Sequence, residues 1–138
     1  MPRGLHAPPA LRSNKDVVTA AVGNNPSALF FAPQAFRDDF AVLMTAVRGS
    51  GWALKYASKA LRADKRVVMA AVKRTGAALQ WAQPELRGDR QVVLAAVRQD
   101  GWAVQFAADE LRRDAEVLAA ARQQDGAVVV EGDSSTLW

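Results

Sequence analysis

The chain has 138 residues, no cysteine, 50% hydrophobic residues and a formal net charge of +4. This length and hydrophobic content suit one folded domain with a continuous core. The lack of cysteine excludes disulfides, a thiolate nucleophile and cysteine-based zinc sites. No apolar run approaches the ~20 residues that cross a bilayer, so we expect no membrane insertion.

The first residues predict an irregular N-terminal arm at residues 1–10. Pro2, Pro8 and Pro9 interrupt regular structure there. The arm lacks the apolar run of a secretory signal, but no acidic residue precedes Asp16, a composition that transit peptides share. We therefore expect a soluble intracellular protein and leave organelle targeting open.

From residue 11 onward, one pattern recurs with a period of 25 residues. Each copy has an apolar residue followed by arginine, then a helix-capping residue. These columns are Leu11, Phe36, Leu61, Leu86 and Leu111; Arg12, Arg37, Arg62, Arg87 and Arg112; and Asn14, Asp39, Asp64, Asp89 and Asp114. Such a period is typical of stacked helical repeats. We predict an all-α fold, a short α-solenoid of about five 25-residue helix-turn-helix repeats at residues 11–131, with a polar tail at 132–138.

The third copy shows how one repeat is expected to fold. Asp64 precedes an apolar stripe that includes Val67 and Val68, so it is the predicted N-cap of a helix. Gly76 is expected to end this helix in the left-handed conformation. A second helix is predicted from about residue 77 to 86, giving about nine or ten short antiparallel helices in the array.

Large aromatic residues recur in the second predicted helix. One column holds a ring in four copies: Phe31, Tyr56, Trp81 and Phe106. We interpret this column as core between repeats, with a ladder for stacking bases or ligands as the alternative. Trp52 and Trp102 alternate with small residues and are expected at the rim. With Trp138 they are candidate binding residues, because exposed tryptophan often anchors interfaces.

Two columns of cations need an explanation. We expect the arginine at positions 37, 62, 87 and 112 to pair with a cap carboxylate of an adjacent copy; a row that binds phosphates is the alternative. Arg48, Lys73 and Arg98 have no matching column of acids and, with Arg74, are the better phosphate candidates. Residues 1–75 carry a net charge of +8 and residues 76–138 carry −4.

The inventory of reactive side chains is small. His6 is the only histidine, and the recurring aspartates are accounted for as helix caps. No glycine-rich phosphate-binding motif occurs. We therefore expect no catalytic residue, no cofactor and no metal site.

The segments LRGDRQVVLAAV at 86–97 and GWAVQFA at 101–107 closely resemble a tandem helical repeat family, domain of unknown function 4116. The resemblance extends over residues 11–126. It implies a repetitive helical architecture, and because the activity of that family is unassigned, it gives no catalytic or ligand-binding residue to transfer to this chain. Pro26, Arg122 and Glu131 depart from the pattern in the terminal copies.

Two functions stay open at this point. The first is a non-catalytic protein-protein interaction or scaffolding module, an accessory subunit of a larger complex, because repeat arrays commonly serve this role. The alternative is nucleic-acid binding through the basic N-terminal two-thirds. Self-association through the oppositely charged ends is a further option, since Arg122 and Glu131 leave the last copy poorly closed.

Overall fold

The computed structural model describes residues 15–125, with side chains described through residue 123. Regular structure in that part is entirely helical, and no strand occurs within it. None of these helices is long and apolar enough to cross a membrane. The prediction of an all-α repeat solenoid is confirmed. The arm at 1–10, the tail at 132–138, Glu131 and Trp138 lie outside the described residues.

Each of the first four repeats holds three helical segments, and the fifth is described only through its long helix. The long α-helices are Lys15–Asn24, Phe40–Gly49, Lys65–Arg74, Arg90–Gln99 and Ala115–Asp125. The 3₁₀ helices are Pro26–Phe31, Gly51–Tyr56, Gly76–Trp81 and Gly101–Phe106. The short α-helices are Gln34–Arg37, Lys59–Arg62, Pro84–Arg87 and Asp109–Arg112. The described part thus has thirteen helical segments, more than the nine or ten predicted for the whole array.

The difference arises because the second predicted helix is divided in two. In the third copy Ala82 and Gln83 are extended, with φ/ψ of −70°/150° and −65°/154°. Gln83 precedes Pro84, which disfavours the α conformation at Gln83. The extended Gln83 N–H donates a 3.0 Å hydrogen bond to the carbonyl oxygen of Arg62 in the preceding copy. A hydrogen bond between repeats therefore replaces one within a helix.

The N-caps of the long helices are formed as predicted. The Asp64 carboxylate accepts a 2.9 Å hydrogen bond from the Arg66 N–H. That of Asp89 accepts from the N–H groups of Gln91 and Val92 at 2.9 and 3.2 Å. Asp39 and Asp114 cap their helices in the same way. These four long helices therefore begin at positions fixed by local chemistry, and Asn14, the predicted cap of the first long helix, lies outside the described residues.

Successive long helices pack side by side in one layer, and the 3₁₀ helices pack in a second layer. Lys65 begins one long helix and contacts Asp89, which caps the next. Gly51 follows one long helix, and its N–H donates at 3.2 Å to Thr75 Oγ1 after the next. The N-terminal ends of adjacent long helices therefore lie next to each other, and so do their C-terminal ends. Adjacent long helices thus run parallel.

The core lies between the two layers. The middle long helices bury four equivalent positions, which in the third copy are Val67, Val68, Ala71 and Val72. Leu79, Ala82 and Leu86, the face predicted for the second helix, are also buried. Division of that helix leaves its core face intact.

The glycine column has a different role from the one predicted. The residue that ends the third long helix is Thr75, with φ −144°, and Gly76 is the buried first residue of the 3₁₀ helix. A Cβ atom on Gly76 would lie well under 3.0 Å from the carbonyl oxygen of Ala96 in the next long helix. The left-handed interpretation was therefore wrong. The glycine is needed because two backbones approach each other closely.

Candidate binding surfaces

Ion pairs link the N-terminal ends of adjacent long helices. Lys65 Nζ lies 3.0 Å from Asp89 Oδ2, and Lys15 pairs with Asp39 in the same way at 3.4 Å. Arg90 pairs with Asp114, and one copy has an internal pair, Arg66 with Asp64 at 2.8 Å. The charges at this end of the layer therefore largely neutralise one another.

These contacts lower the pKa of three cap carboxylates. For Asp64 the largest cause is the hydrogen bond from Arg66. For Asp89, burial alone would raise the pKa, but the hydrogen bond from Lys65, its charge and the backbone N–H groups outweigh burial. Arg90 lowers the pKa of Asp114. The caps are therefore ionised structural groups at neutral pH, a state that suits helix capping.

The expectation for the arginine column was wrong, because other cations occupy the cap carboxylates. In parallel helices the first residue of one helix lies nearest to the cap of the next. Within the described residues Arg62 and Arg87 form no ion pair, and their Nε atoms are buried without a hydrogen-bond partner. Arg37 donates to Gln34 at 2.9 Å, and Arg112 pairs with Asp109 of its own short helix. Arg12 lies outside the described residues.

Two adjoining grooves lie on the outer face of the long-helix layer. The first is lined by Met44, Arg48, Arg66, Met69, Ala70, Lys73 and Arg74. The second is lined by Met69, Lys73, Gln91, Ala95, Arg98 and Gln99. Met69 and Lys73 belong to both, so we treat the two as one surface, the cationic groove. No acidic side chain of the described chain lines it.

The cationic groove brings together four of the predicted binding residues. Arg48, Lys73, Arg74 and Arg98 are exposed and form no ion pair with any described residue. They lie in the last turns of their helices, where positive charge also stabilises the C-terminal carbonyl groups. The N-terminal ends of the layer are thus neutralised, whereas the C-terminal ends keep free cations. Their role in binding stays a prediction.

Aromatic rings gather on the 3₁₀ layer, four of them exposed and two half-buried. We define the aromatic strip as the surface formed by six residues: Phe30, Phe31, Trp52, Tyr56, Trp81 and Trp102. Trp52 and Trp102 are 49% and 50% exposed, as expected for rim residues. Trp52 meets Trp81 edge-on with ring centroids 4.8 Å apart, and Phe30 meets Tyr56 at 5.5 Å. Each of these two contacts joins adjacent copies.

The core interpretation of the aromatic column holds only in part. Tyr56, Trp81 and Phe106 are half-buried against the core, whereas Phe31 is 83% exposed. In the 3₁₀ helices Gly51–Tyr56, Gly76–Trp81 and Gly101–Phe106 the third and fourth residues are buried, and the ring at the sixth position is half-buried. The 58% exposed Phe30 was missed, because its column holds lysine or glutamine in the other copies.

A family profile described as Domain of unknown function (DUF4116) matches residues 14–62, 39–87, 64–112 and 89–121. The chain belongs to this family. The windows begin at the cap residues Asn14, Asp39, Asp64 and Asp89, so one DUF4116 unit spans two of the repeats described above. The resemblance noted in the sequence is thereby confirmed. Searches of curated proteins and of solved structures found no match.

Proposed function

We propose that this DUF4116 protein is a non-catalytic protein-interaction or scaffolding module that binds its partner through the aromatic strip. The main support is the half-exposure of Trp52 and Trp102 at equivalent places two repeats apart. Exposed apolar patches and tryptophan in particular are typical of protein interfaces. The contact of Trp52 with Trp81 in the next copy holds that ring in place, which lowers the entropy lost on binding.

The exposed area limits how much the two tryptophans contribute. A buried aromatic side chain covers about 150–250 Å², so half-exposure leaves roughly 100 Å² on each ring. At about 25 cal/mol per Å², the two rings together offer at most ~5 kcal/mol. Association itself costs about 4–15 kcal/mol. The partner must therefore also contact other parts of the chain, and Phe30 and Phe31 extend the same strip.

Affinity capture from the source cell tests this proposal. The variant Trp52→Ala/Trp102→Ala should lose its captured protein at least tenfold, since an interface hot spot contributes about 2 kcal/mol or more. Phe40→Ala is the matched control, because Phe40 is a partly exposed ring on the other layer. Capture that survives loss of both tryptophans, or that disappears on nuclease treatment, would refute the proposal.

Nucleic-acid binding is the second candidate, supported by the free cations of the cationic groove. It predicts that labelled single-stranded RNA binds at ~50 mM salt, with an affinity that falls by a log-log slope of about −0.7 per phosphate contact. Neutralising Arg48, Lys73 and Arg74 together should weaken that binding. It ranks second because no ring among residues 15–123 lines the groove, and bases find no described aromatic side chain there to stack on beside the phosphates. No binding at ~50 mM salt would remove it.

A further inference from the structure

We propose that the cationic groove binds an acidic amphipathic α-helix of a partner protein. The helix would lie across the long helices, with its carboxylates on Arg48, Lys73 and Arg98. This inference rests on the proposed protein-interaction function and adds a second contact surface with defined chemistry.

The charge of the groove points to an acidic ligand. Lys15, Lys65 and Arg90 at the other end of the same layer already have carboxylate partners, as does Arg66, which lines the groove. The four cations at the C-terminal ends, Arg48, Lys73, Arg74 and Arg98, have none among the described residues. The fold therefore satisfies one row of charges and leaves the other row available to an external carboxylate.

The groove also has an apolar floor that suits a protein helix. Met44 and Met69 are half-buried and occupy the fifth position of their helices, and buried Leu94 occupies the same position in the next. The unbranched thioether side chains of methionine adapt to varied apolar partners. A phosphodiester chain has no apolar group to place there. An amphipathic helix covers both rows at once, with acids on the cations and apolar residues on the methionines.

The spacing of the cations fits the period of an α-helix. Arg48, Lys73 and Arg98 are each the ninth residue of adjacent parallel helices, which pack about 8–10 Å apart. Two residues roughly seven positions apart on a partner helix lie on one face and are separated by ~10.5 Å. One carboxylate every two turns would therefore meet one cation on each repeat. The apolar residues between them would contact the row that Met44 and Met69 form.

A designed peptide of about 21 residues tests the proposal directly, with glutamate roughly every seven residues and leucine one turn away. Its binding is measured by fluorescence anisotropy. The variant Arg48→Ala/Lys73→Ala/Arg98→Ala should bind about tenfold more weakly, because three ion pairs are lost. The control Lys55→Ala/Lys59→Ala/Arg113→Ala removes the same charge from exposed residues outside the groove and should bind nearly as the wild type. An equal loss in both variants would overturn the proposal.

Two further measurements separate the peptide from other ligands. A peptide of equal composition with glutamate roughly every five residues should bind the unaltered protein about tenfold more weakly. This comparison tests the spacing of the carboxylates without any protein variant, so it holds even where a variant fails to fold. Met69→Ser should weaken the peptide about threefold and leave RNA binding unchanged. Tighter binding of an RNA oligonucleotide than of the peptide, or no binding of either, would overturn the proposal.

The outcome does not depend on the aromatic strip. Trp52→Ala/Trp102→Ala keeps the groove and should bind the peptide as the wild type does. Absence of peptide binding together with tryptophan-dependent capture of a protein would refute the acidic-helix proposal and leave the proposed function standing. Peptide binding together with protein capture that survives Trp52→Ala/Trp102→Ala would refute the proposed role of the strip and leave the acidic-helix proposal standing.

Discussion

The close approach of neighbouring repeats at Gly76 makes a substitution there highly informative. In Gly76→Ala the new Cβ would overlap the carbonyl oxygen of Ala96 and would also lie 3.0 Å from Asp100 Cβ. The main obstacle is the backbone of a packed helix, so no change of rotamer relieves the overlap. The third and fourth repeats must therefore move apart at that point.

The cost follows from the size of this displacement. Restoring an ordinary contact requires a shift of roughly 1 Å or more, and overpacking of a well-packed core typically costs about 1–3 kcal/mol. Because the shift also loosens the interface between the 3₁₀ helix Gly76–Trp81 and the long helix Arg90–Gln99, we expect a value near the upper limit, about 3 kcal/mol. For a chain of this length the melting temperature should fall by roughly 10 °C.

Gly88→Ala is the matched control. Gly88 is exposed, and the atom nearest to an added Cβ is 3.6 Å away. Its φ/ψ of −101°/5° is shared by Ala63 and Arg113 at the equivalent position, at −103°/0° and −106°/0°. Alanine should therefore stabilise the protein by about 0.4–1 kcal/mol, because it restricts the unfolded chain. Urea unfolding followed by circular dichroism measures both variants. Similar values for the two would refute the close packing inferred at Gly76.

Two further predictions concern the core and the caps. Leu86→Ala should cost about 2–5 kcal/mol in urea unfolding, whereas Glu85→Ala at the exposed neighbour should change stability by less than about 0.5 kcal/mol; equal losses would argue against the core described here. Folding lowers the pKa of Asp64, Asp89 and Asp114, so their contribution to stability is present above the unfolded pKa near 3.9 and is lost as the pH falls through the folded values. The urea midpoint should therefore drop below about pH 4, and Asp89→Asn should reduce that drop; an unchanged pH profile in this variant would contradict the role given to Lys65.

Features set by chemistry within a few residues were predictable from the sequence. Asp89 caps its helix through amides two and three residues further on, so the spacing of residue types alone identifies it. The buried stripe of Val67, Val68, Ala71 and Val72 follows from the helical period in the same way. The exposure of Trp52 was predictable because the equivalent position in the next copy holds a small residue. The core therefore does not need a ring at this position.

Features that depend on contact between repeats were not predictable. Gly76 can serve either a left-handed turn or a close approach, and only the position of Ala96 decides between them. Pro84 did signal the break in the second helix, but the hydrogen bond from Gln83 to Arg62, which has equivalents in the second and fourth copies, crosses a repeat boundary. The ion-pair partner of Asp89 was also predicted wrongly, because no local sequence pattern shows that the long helices run parallel.

The parallel order of the long helices means that every boundary in the array joins the same two surfaces. The N–H groups of Ser58, Gln83 and Ala108 donate across three successive boundaries to the carbonyl oxygens of Arg37, Arg62 and Arg87, at 2.9–3.0 Å. Duplication or loss of one whole unit would rejoin matching surfaces and leave no unmatched boundary. Such an array can change length during evolution without a new fold, and each added unit would lengthen both surface rows. Copy number could then set the reach and strength of binding, whereas side-chain changes within a unit would set its specificity.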